Sequence, residues 1–233
     1  MKTERLPGGT GVYVEGGVGF SADALFLAHF SALRGGRALD IGTGCGILPL
    51  ALFDGGFRGS FTGLEINETA AALARRGAEE NALPFEVLRC DARSFRTSAK
   101  YDAALCNPPY FESGRASADP YRAAARHALT LSLAQAAAAA RRSLKEGGRF
   151  FVCFAPARLA YLFAALAEND FFIKRLRFVR ERAGDDAWLA LIDAVYRGGE
   201  GLAVLPDLVV RGEDGAYTPE AARILRMDGK DTQ

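Results

Sequence analysis

The chain has 233 residues, 49% of them hydrophobic, with 29 Lys and Arg against 28 Asp and Glu. Those proportions exclude a disordered chain, a polybasic histone-like protein and an acidic tail protein, and the length allows one large domain or two small ones. They do not exclude a local basic face, because charge acts over a Debye length of about 10 Å and not over a whole chain. Residues 1–110 carry 11 basic and 12 acidic side chains, residues 111–183 carry 13 and 6, and residues 184–233 carry 5 and 10, so the net of +1 is the sum of −1, +7 and −5.

The N-terminus, Met1 to Gly9, has no apolar core of the kind a signal peptide needs. The longest apolar stretch, Phe150 to Ala167, is interrupted by Pro156 and Arg158, so no membrane span is expected and the protein reads as soluble and cytoplasmic. Strand and helix patterns alternate along the chain. Arg37–Ile41 reads as a strand, Ile47–Phe53 as a helix, Ser60–Ile66 as a strand and Glu68–Asn81 as a helix. Phe85–Cys90 and Tyr101–Cys106 read as further strands. The alanine-rich run Arg122–Lys145 predicts one long helix stopped by Gly147-Gly148. Arg149–Phe154 follows as a buried strand, and a helix over Arg158–Glu168 starts near Pro156. Phe172–Arg180 and Trp188–Tyr196 predict two strands joined by the turn Ala183-Gly184-Asp185-Asp186. Alternation of this kind predicts a mostly parallel α/β sheet with helices on both faces, and a terminal antiparallel hairpin is compatible with it. The bias of Ala134–Ala140 is that of a tightly packed helix face.

The four cysteines, Cys45, Cys90, Cys106 and Cys153, form no C-x-x-C pair, and the histidines are His29 and His127 alone. No zinc-ligand spacing exists, so no metal is expected and the thiols read as free and buried.

Asp40-Ile41-Gly42-Thr43-Gly44-Cys45-Gly46 lies between the first of these strands and a helix. Glycines there let the backbone turn sharply and approach a nucleotide-like ligand. A dinucleotide fingerprint would need glycine at Ile47, and no Gly-Lys-Ser/Thr run makes a P-loop. The pattern, with Asp40, Gly42, Gly44 and Gly46, resembles the first motif of class I S-adenosylmethionine-dependent methyltransferases, which implies S-adenosyl-L-methionine as cofactor. In that register Glu65, at the end of the second strand, is placed to hold ribose hydroxyls, and Asp91, after the third, to accept an adenine amino group.

Asn107-Pro108-Pro109-Tyr110 follows the strand Tyr101–Cys106. Both Asn107 and Pro108 precede a proline, so the turn is stiff and extended and presents acceptors: the Asn107 side-chain oxygen and the Pro108 carbonyl. Two acceptors can grip the two N–H bonds of an amino group conjugated to a π-system and stabilise the positive charge that grows on nitrogen. Tyr110 adds an aromatic face for a planar substrate. The tetrad resembles the signature of methyltransferases acting on adenine N6 or glutamine N5.

From Gly17 to about Arg226 the chain is similar to bacterial tRNA-Val (adenine-N6)-methyltransferases, which modify the base beside the anticodon. The resemblance rests on Phe20 to Ala28, Ala125-Arg126-His127, Pro156-Ala157-Arg158-Leu159, Lys174 to Val179, Leu205 to Val210 and Gly215 to Glu220. Ala128 departs from it, standing where an acidic residue is expected after His127. The resemblance implies a Rossmann-like seven-stranded sheet over residues 37–233, with residues 1–36 as a cap segment on the cofactor site and Asp23 near the methionine end of the cofactor. It also implies tRNA as partner and adenine N6 as acceptor, with Asn107, Pro108, Pro109 and Tyr110 as the catalytic tetrad and Asn107 also beside the cofactor. Arg115, Arg122, Arg126, Lys174, Arg175, Arg177 and Arg180 are candidate RNA contacts, against the alternative of a charged edge strand protected from aggregation. A glutamine-N5 protein methyltransferase and a non-catalytic RNA-binding scaffold are the competing functions, and a monomer is expected.

Overall fold

The computed structural model describes residues 1–108 and 131–225. Its centre is a sheet whose long strands are β3 (Gly35–Ile41), β4 (Arg58–Glu65), β5 (Phe85–Arg89), β6 (Tyr101–Cys106), β7 (Leu144–Phe154), β8 (Phe171–Arg180) and β9 (Leu189–Tyr196). They lie in the order β8-β9-β7-β6-β3-β4-β5. The pairs β3–β4, β4–β5, β3–β6 and β6–β7 are parallel, whereas β9 is antiparallel to both β7 and β8. The seven expected strands and the terminal antiparallel hairpin are all present. Two-residue strands β10 (Ala203–Val204) and β11 (Leu208–Val209) extend the sheet to nine by pairing with β8 at successive points along its outer edge.

Helices α1 (Ala22–Ser31), α2 (Ile47–Asp54), α3 (Glu68–Glu80) and α6 (Pro219–Leu225) cover one face, and α4 (Leu133–Ser143) and α5 (Leu159–Ala167) cover the other. Strands between two helical layers must be apolar on both sides, which explains the unbroken runs in Phe150–Phe154 and Leu189–Ile192. On α3 the alternation sorts cleanly: Ala70, Ala71, Leu73, Ala74 and Ala78 face the core while Arg76 and Glu80 face water as an i,i+4 ion pair.

The alanine-rich region departs from the single long helix expected over 122–145. Among the described residues helix α4 begins after Ser132, whose hydroxyl accepts from the Gln135 N–H while the Gln135 side chain accepts from the Ser132 N–H. This capping box fixes a start there, and residues 122–130 lie outside the described ones. The helix ends at Ser143 because Leu144 is already extended, at φ −79° and ψ 151°. Gly147 takes φ +75° inside a bulged entry to β7 and is not the helix stop.

A second, two-stranded sheet has no counterpart in the sequence reading. It pairs β1 (Lys2–Arg5) with β2 (Gly11–Val14), and its turn is tied to the far ends of α2 and α3. Gly8 and Thr10 donate to the Asp54 carboxylate at 2.9 and 3.1 Å, and Gly11 exchanges hydrogen bonds with the Asn81 side chain.

The basic strand β8 is held from within. Arg175 and Arg149 both bind the fully buried Asp193 carboxylate, through Nε at 2.6 and 3.0 Å respectively. Arg177 makes a bidentate pair with Glu220 at 2.7 and 2.8 Å, and Arg180 pairs with Asp207. Lys174 donates to the Gly199 and Glu200 carbonyls. Removing the buried acid of the first cluster leaves two part-exposed cations facing each other. Asp193→Ala is therefore expected to cost about 2–4 kcal/mol, read as a melting temperature lowered by roughly 5–15 °C in a chain of this size. A shift below one degree in thermal denaturation would contradict this role.

Candidate active site

The chain leaves β3 toward β4 on one side and returns on the other side as β6, so a crevice opens at the carboxyl ends of β3 and β6. In open α/β sheets ligands bind at such a reversal. The loop after β3 forms one wall. Gly42, Gly44 and Gly46 have φ of 76°, 57° and 84°, a left-handed region that side chains other than hydrogen rarely occupy. The Gly42 and Thr43 N–H groups donate to the Leu64 carbonyl at 2.9 and 3.0 Å. A Cβ on Gly46 would lie 2.9 Å from the Phe85 ring, so this glycine allows close packing of the loop on the sheet. A Cβ on Gly42 or Gly44 would meet nothing within 4 Å among the described residues, which leaves the outer side of the loop open to a ligand.

Carboxylates surround this loop. Glu65, ending β4, accepts from the Gly44 N–H through one oxygen and from the Asn67 N–H through the other, both at 2.8 Å. Asn67 in turn caps α3 by accepting from Ala70 at 3.0 Å. Asp40 is buried beneath the loop. One of its oxygens accepts from the Thr43 hydroxyl at 2.6 Å, and the other is buried with no hydrogen-bond partner among the described residues. Burial drives its pKa up from 3.8 to about 7; the Thr43 bond opposes the rise and the nearby Glu65 charge adds to it. Asp91, just beyond β5, is gripped by Arg93 through Nε at 2.9 and 2.8 Å and through the backbone N–H, and the Arg93 side chain chiefly holds its carboxyl below the usual range. Asp23 sits in the first turn of α1. The stretch leading to that helix passes close to the loop, where the Cys45 thiol contacts the Gly19 carbonyl at 3.8 Å.

Asn107 and Pro108 follow β6 at the other wall of the crevice, half-buried and buried respectively. The buried Cys153 thiol donates to the Asn107 side-chain oxygen at 3.1 Å. This contact was invisible in the linear sequence. It follows from the parallel register that sets Cys106 opposite Val152 and so brings Asn107 beside Cys153. Of the residues singled out by sequence, Asp40, Gly42, Gly44, Gly46 and Glu65 form one cluster, and Asp91 and Asn107 follow β5 and β6, the strands that flank β4 and β3 along the same edge. Pro109, Tyr110, Arg115, Arg122 and Arg126 lie outside the described residues, as do His127, Ala128 and the stretch 111–121. The three thiols in the core, Cys45, Cys106 and Cys153, and the half-buried Cys90 form no disulfide.

The profile of the methyltransferase small domain matches residues 5–161, more than half of the chain. The chain belongs to the methyltransferase small-domain family. The tRNA1(Val) (adenine(37)-N6)-methyltransferase of Shewanella sp. strain MR-4 is 29% identical to this methyltransferase over 220 residues, covering 90% of this chain and 91% of its own. The enzyme of that name from Cronobacter sakazakii is 31% identical over 207 residues, covering 84% and 82%. A solved structure of a predicted O-methyltransferase from Agrobacterium tumefaciens matches the fold with a TM-score of 0.70 at 21% identity, over 88% of this chain and 95% of that one.

The buried acid under the loop gives this methyltransferase a defined pH response. The Asp40 carboxyl holds its proton more tightly in the folded chain, near 7, than at its ordinary value of 3.8. Its contribution to stability is thus fully present below about pH 4 and is lost as the pH rises through about 7. Between those limits the wild type is expected to lose up to roughly 4 kcal/mol relative to Asp40→Asn, at about 1.4 kcal/mol per unit. Thermal unfolding of the two proteins across this range tests the assignment, and parallel profiles would contradict it.

Proposed function

We propose that the protein is an S-adenosylmethionine-dependent methyltransferase that methylates the N6 amino group of an adenine in tRNA. The observation that carries this reading is the Asn107 oxygen at the end of β6, across the crevice from the glycine loop, in a chain whose relatives bear that activity in their names over nine-tenths of its length. Those names point to adenine 37 of a valine tRNA. They do not favour the glutamine-N5 alternative.

The crevice suits the cofactor. Its loop is open above Gly42 and Gly44, a buried Asp40 oxygen lacks a donor among the described residues, and Glu65 has both oxygens fixed at the strand end. In this reading Gly42, Gly44 and Gly46 shape the floor, Glu65 accepts from ribose hydroxyls, Asp91 accepts from the adenine amino group, and Asp40 and Asp23 face the methionine end. Residues 1–36 act as the cap, with Gly19 beside Cys45 of the glycine loop. When bound, S-adenosylmethionine supplies an electrophilic sulfonium methyl group.

The chain's own task is to prepare a poor nucleophile. An adenine amino nitrogen shares its lone pair with the ring. Asn107 Oδ1 and the Pro108 carbonyl accept its two N–H bonds, draw the nitrogen toward a pyramidal shape and aim the lone pair across the crevice. The same two dipoles stabilise the positive charge that develops on nitrogen until a proton leaves. Pro109 stiffens the turn, and Tyr110 stacks on the base, a contact worth about 1–3 kcal/mol. A base from a single-stranded loop can be splayed into such a site at low cost.

Asn107→Ala is expected to reduce transfer of labelled methyl to tRNA by at least about 100-fold, with S-adenosylmethionine binding by calorimetry retained. Tyr110→Ala is expected to raise the KM for tRNA. Nucleoside mass spectrometry of tRNA from cells with and without the gene identifies the product. Undiminished transfer by both variants would overturn the reading, and labelling of a purified translation factor with none in tRNA would select the glutamine reaction.

A further inference from the structure

A second cluster of charge lies at the opposite edge of the sheet. There a shallow cleft of about 520 Å³ is lined by Arg96, Lys100, Arg141, Arg142, Asn169 and Tyr196. Three elements converge on it. Arg96 and Lys100 come from the segment entering β6, Arg141 and Arg142 from the last turn of α4, and Tyr196 from the end of β9. Among the described residues no carboxylate lines the cleft.

How these cations are held distinguishes them from the arginines of β8. Lys100 donates to the Arg142 carbonyl, Arg142 to the Ala92 and Arg93 carbonyls at 3.1 Å each, and Arg96 to the Arg93 and Phe95 carbonyls at 3.1 and 2.9 Å. A carbonyl fixes the position of a cation without cancelling its charge. Of the four, only Arg141 meets a carboxylate among the described residues, Asp170 at 2.8 Å, and that pair is exposed. Arg142 feels the crowding: burial first, and then the Arg96 charge, lower its pKa. Basic residues at a helix C-terminus are favoured by the helix dipole, which accounts for Arg141 and Arg142 but not for two further cations brought from another element. On β8, by contrast, Arg175, Arg177 and Arg180 are each matched by an acid, Asp193, Glu220 and Asp207.

We propose that this cleft binds backbone phosphates of the RNA substrate at a distance from the methylated base. The inference rests on the tRNA reading above. The six residues of β6 separate the cleft from Asn107 by about 20 Å, at roughly 3.3 Å per residue. A small anionic ligand cannot span that gap, whereas a polynucleotide places a phosphate every few ångströms along it. Uncompensated cations release counterions when they meet phosphate, which is the source of salt-dependent RNA affinity; cations already paired with buried or bidentate carboxylates have little to contribute.

The experiment is tRNA binding by fluorescence anisotropy between 50 and 200 mM KCl (about the range in which such contacts weaken most visibly), with steady-state kinetics alongside. The variants are Arg96→Glu/Lys100→Glu and the milder Arg96→Gln/Arg141→Gln, whose side chains are exposed. Either pair is expected to weaken tRNA binding roughly tenfold and to flatten the slope of log K against log salt by about 1.5, for two lost phosphate contacts. The KM for tRNA rises while kcat and S-adenosylmethionine affinity stay at wild-type values. If the charge-reversed pair loses cofactor binding as well, the neutral pair decides between the outcomes. A neutral variant with wild-type tRNA affinity and salt slope overturns the proposal while the methylation reading stands. A wild-type protein that neither binds nor methylates tRNA overturns the reading itself.

Discussion

The geometry of the crevice depends on one carboxylate. Glu65 reaches from the end of β4 to the Gly44 N–H and at the same time holds the Asn67 N–H, so the glycine loop, the neighbouring strand and the start of α3 are fixed together. Three left-handed glycines within five residues would otherwise be costly to order, since glycine loses more backbone freedom on folding than any other residue. A charge-assisted hydrogen bond to each of two N–H groups offsets part of that cost. The arrangement also explains why the loop can be both open and rigid. Its inner side is packed through Gly46 on Phe85, its polar groups are bound by Leu64 and Glu65, and only the outer side, above Gly42 and Gly44, is left for a ligand.

The charge distribution has a physical resolution that segment counts miss. The excess in residues 111–183 and the deficit in residues 184–233 meet in space, because the acidic C-terminal stretch returns along the outer edge of β8 as β10, β11 and α6. Arg175 finds Asp193, Arg177 finds Glu220, and Arg180 finds Asp207. A count along the chain cannot see pairs separated by 18 to 43 positions. Arg177 and Arg180 thus tie the C-terminal stretch to the sheet, and Arg175 ties β8 to its neighbour β9. The cations left without acids come partly from residues 1–110, a segment whose net charge of −1 conceals them.

Much of the fold was legible because it is written in local patterns. Unbroken apolar runs such as Phe150–Phe154 mark strands buried on both faces, and the spacing of glycines after Asp40 marks the turn at the crevice. What escaped depends on partners far away in sequence or on a polar signal outweighed by composition. The alanine run suggested continuous helix across Ser132, although Ser132 and Gln135 spell a capping box that sets the start of α4. The β1–β2 hairpin has few apolar residues of its own and is placed by Asp54 and Asn81, which lie on α2 and at the end of α3. Cys153 read as a buried thiol, and its contact with Asn107 emerges only once the register of β6 on β7 is known.

That contact bears on the proposed role of Asn107. A side-chain amide oxygen can accept two hydrogen bonds, and the Cys153 thiol donates one of them at Asn107 Oδ1. A thiol is a weak donor, so it orients the amide without strongly depleting the oxygen's capacity to accept a second bond. A hydroxyl or ammonium in the same place would bind that oxygen more strongly. Because Cys153 is fully buried and its neighbour Phe154 closes the strand, the amide is held from the protein side by a rigid element rather than by a surface loop. In the proposed reaction an acceptor that must meet an amino group within a few tenths of an ångström gains most from such support, since misplacement by 1 Å can cost about 100-fold in rate. In the proposed reaction the strand pairing that sets Cys106 beside Val152 therefore serves the chemistry as well as the fold.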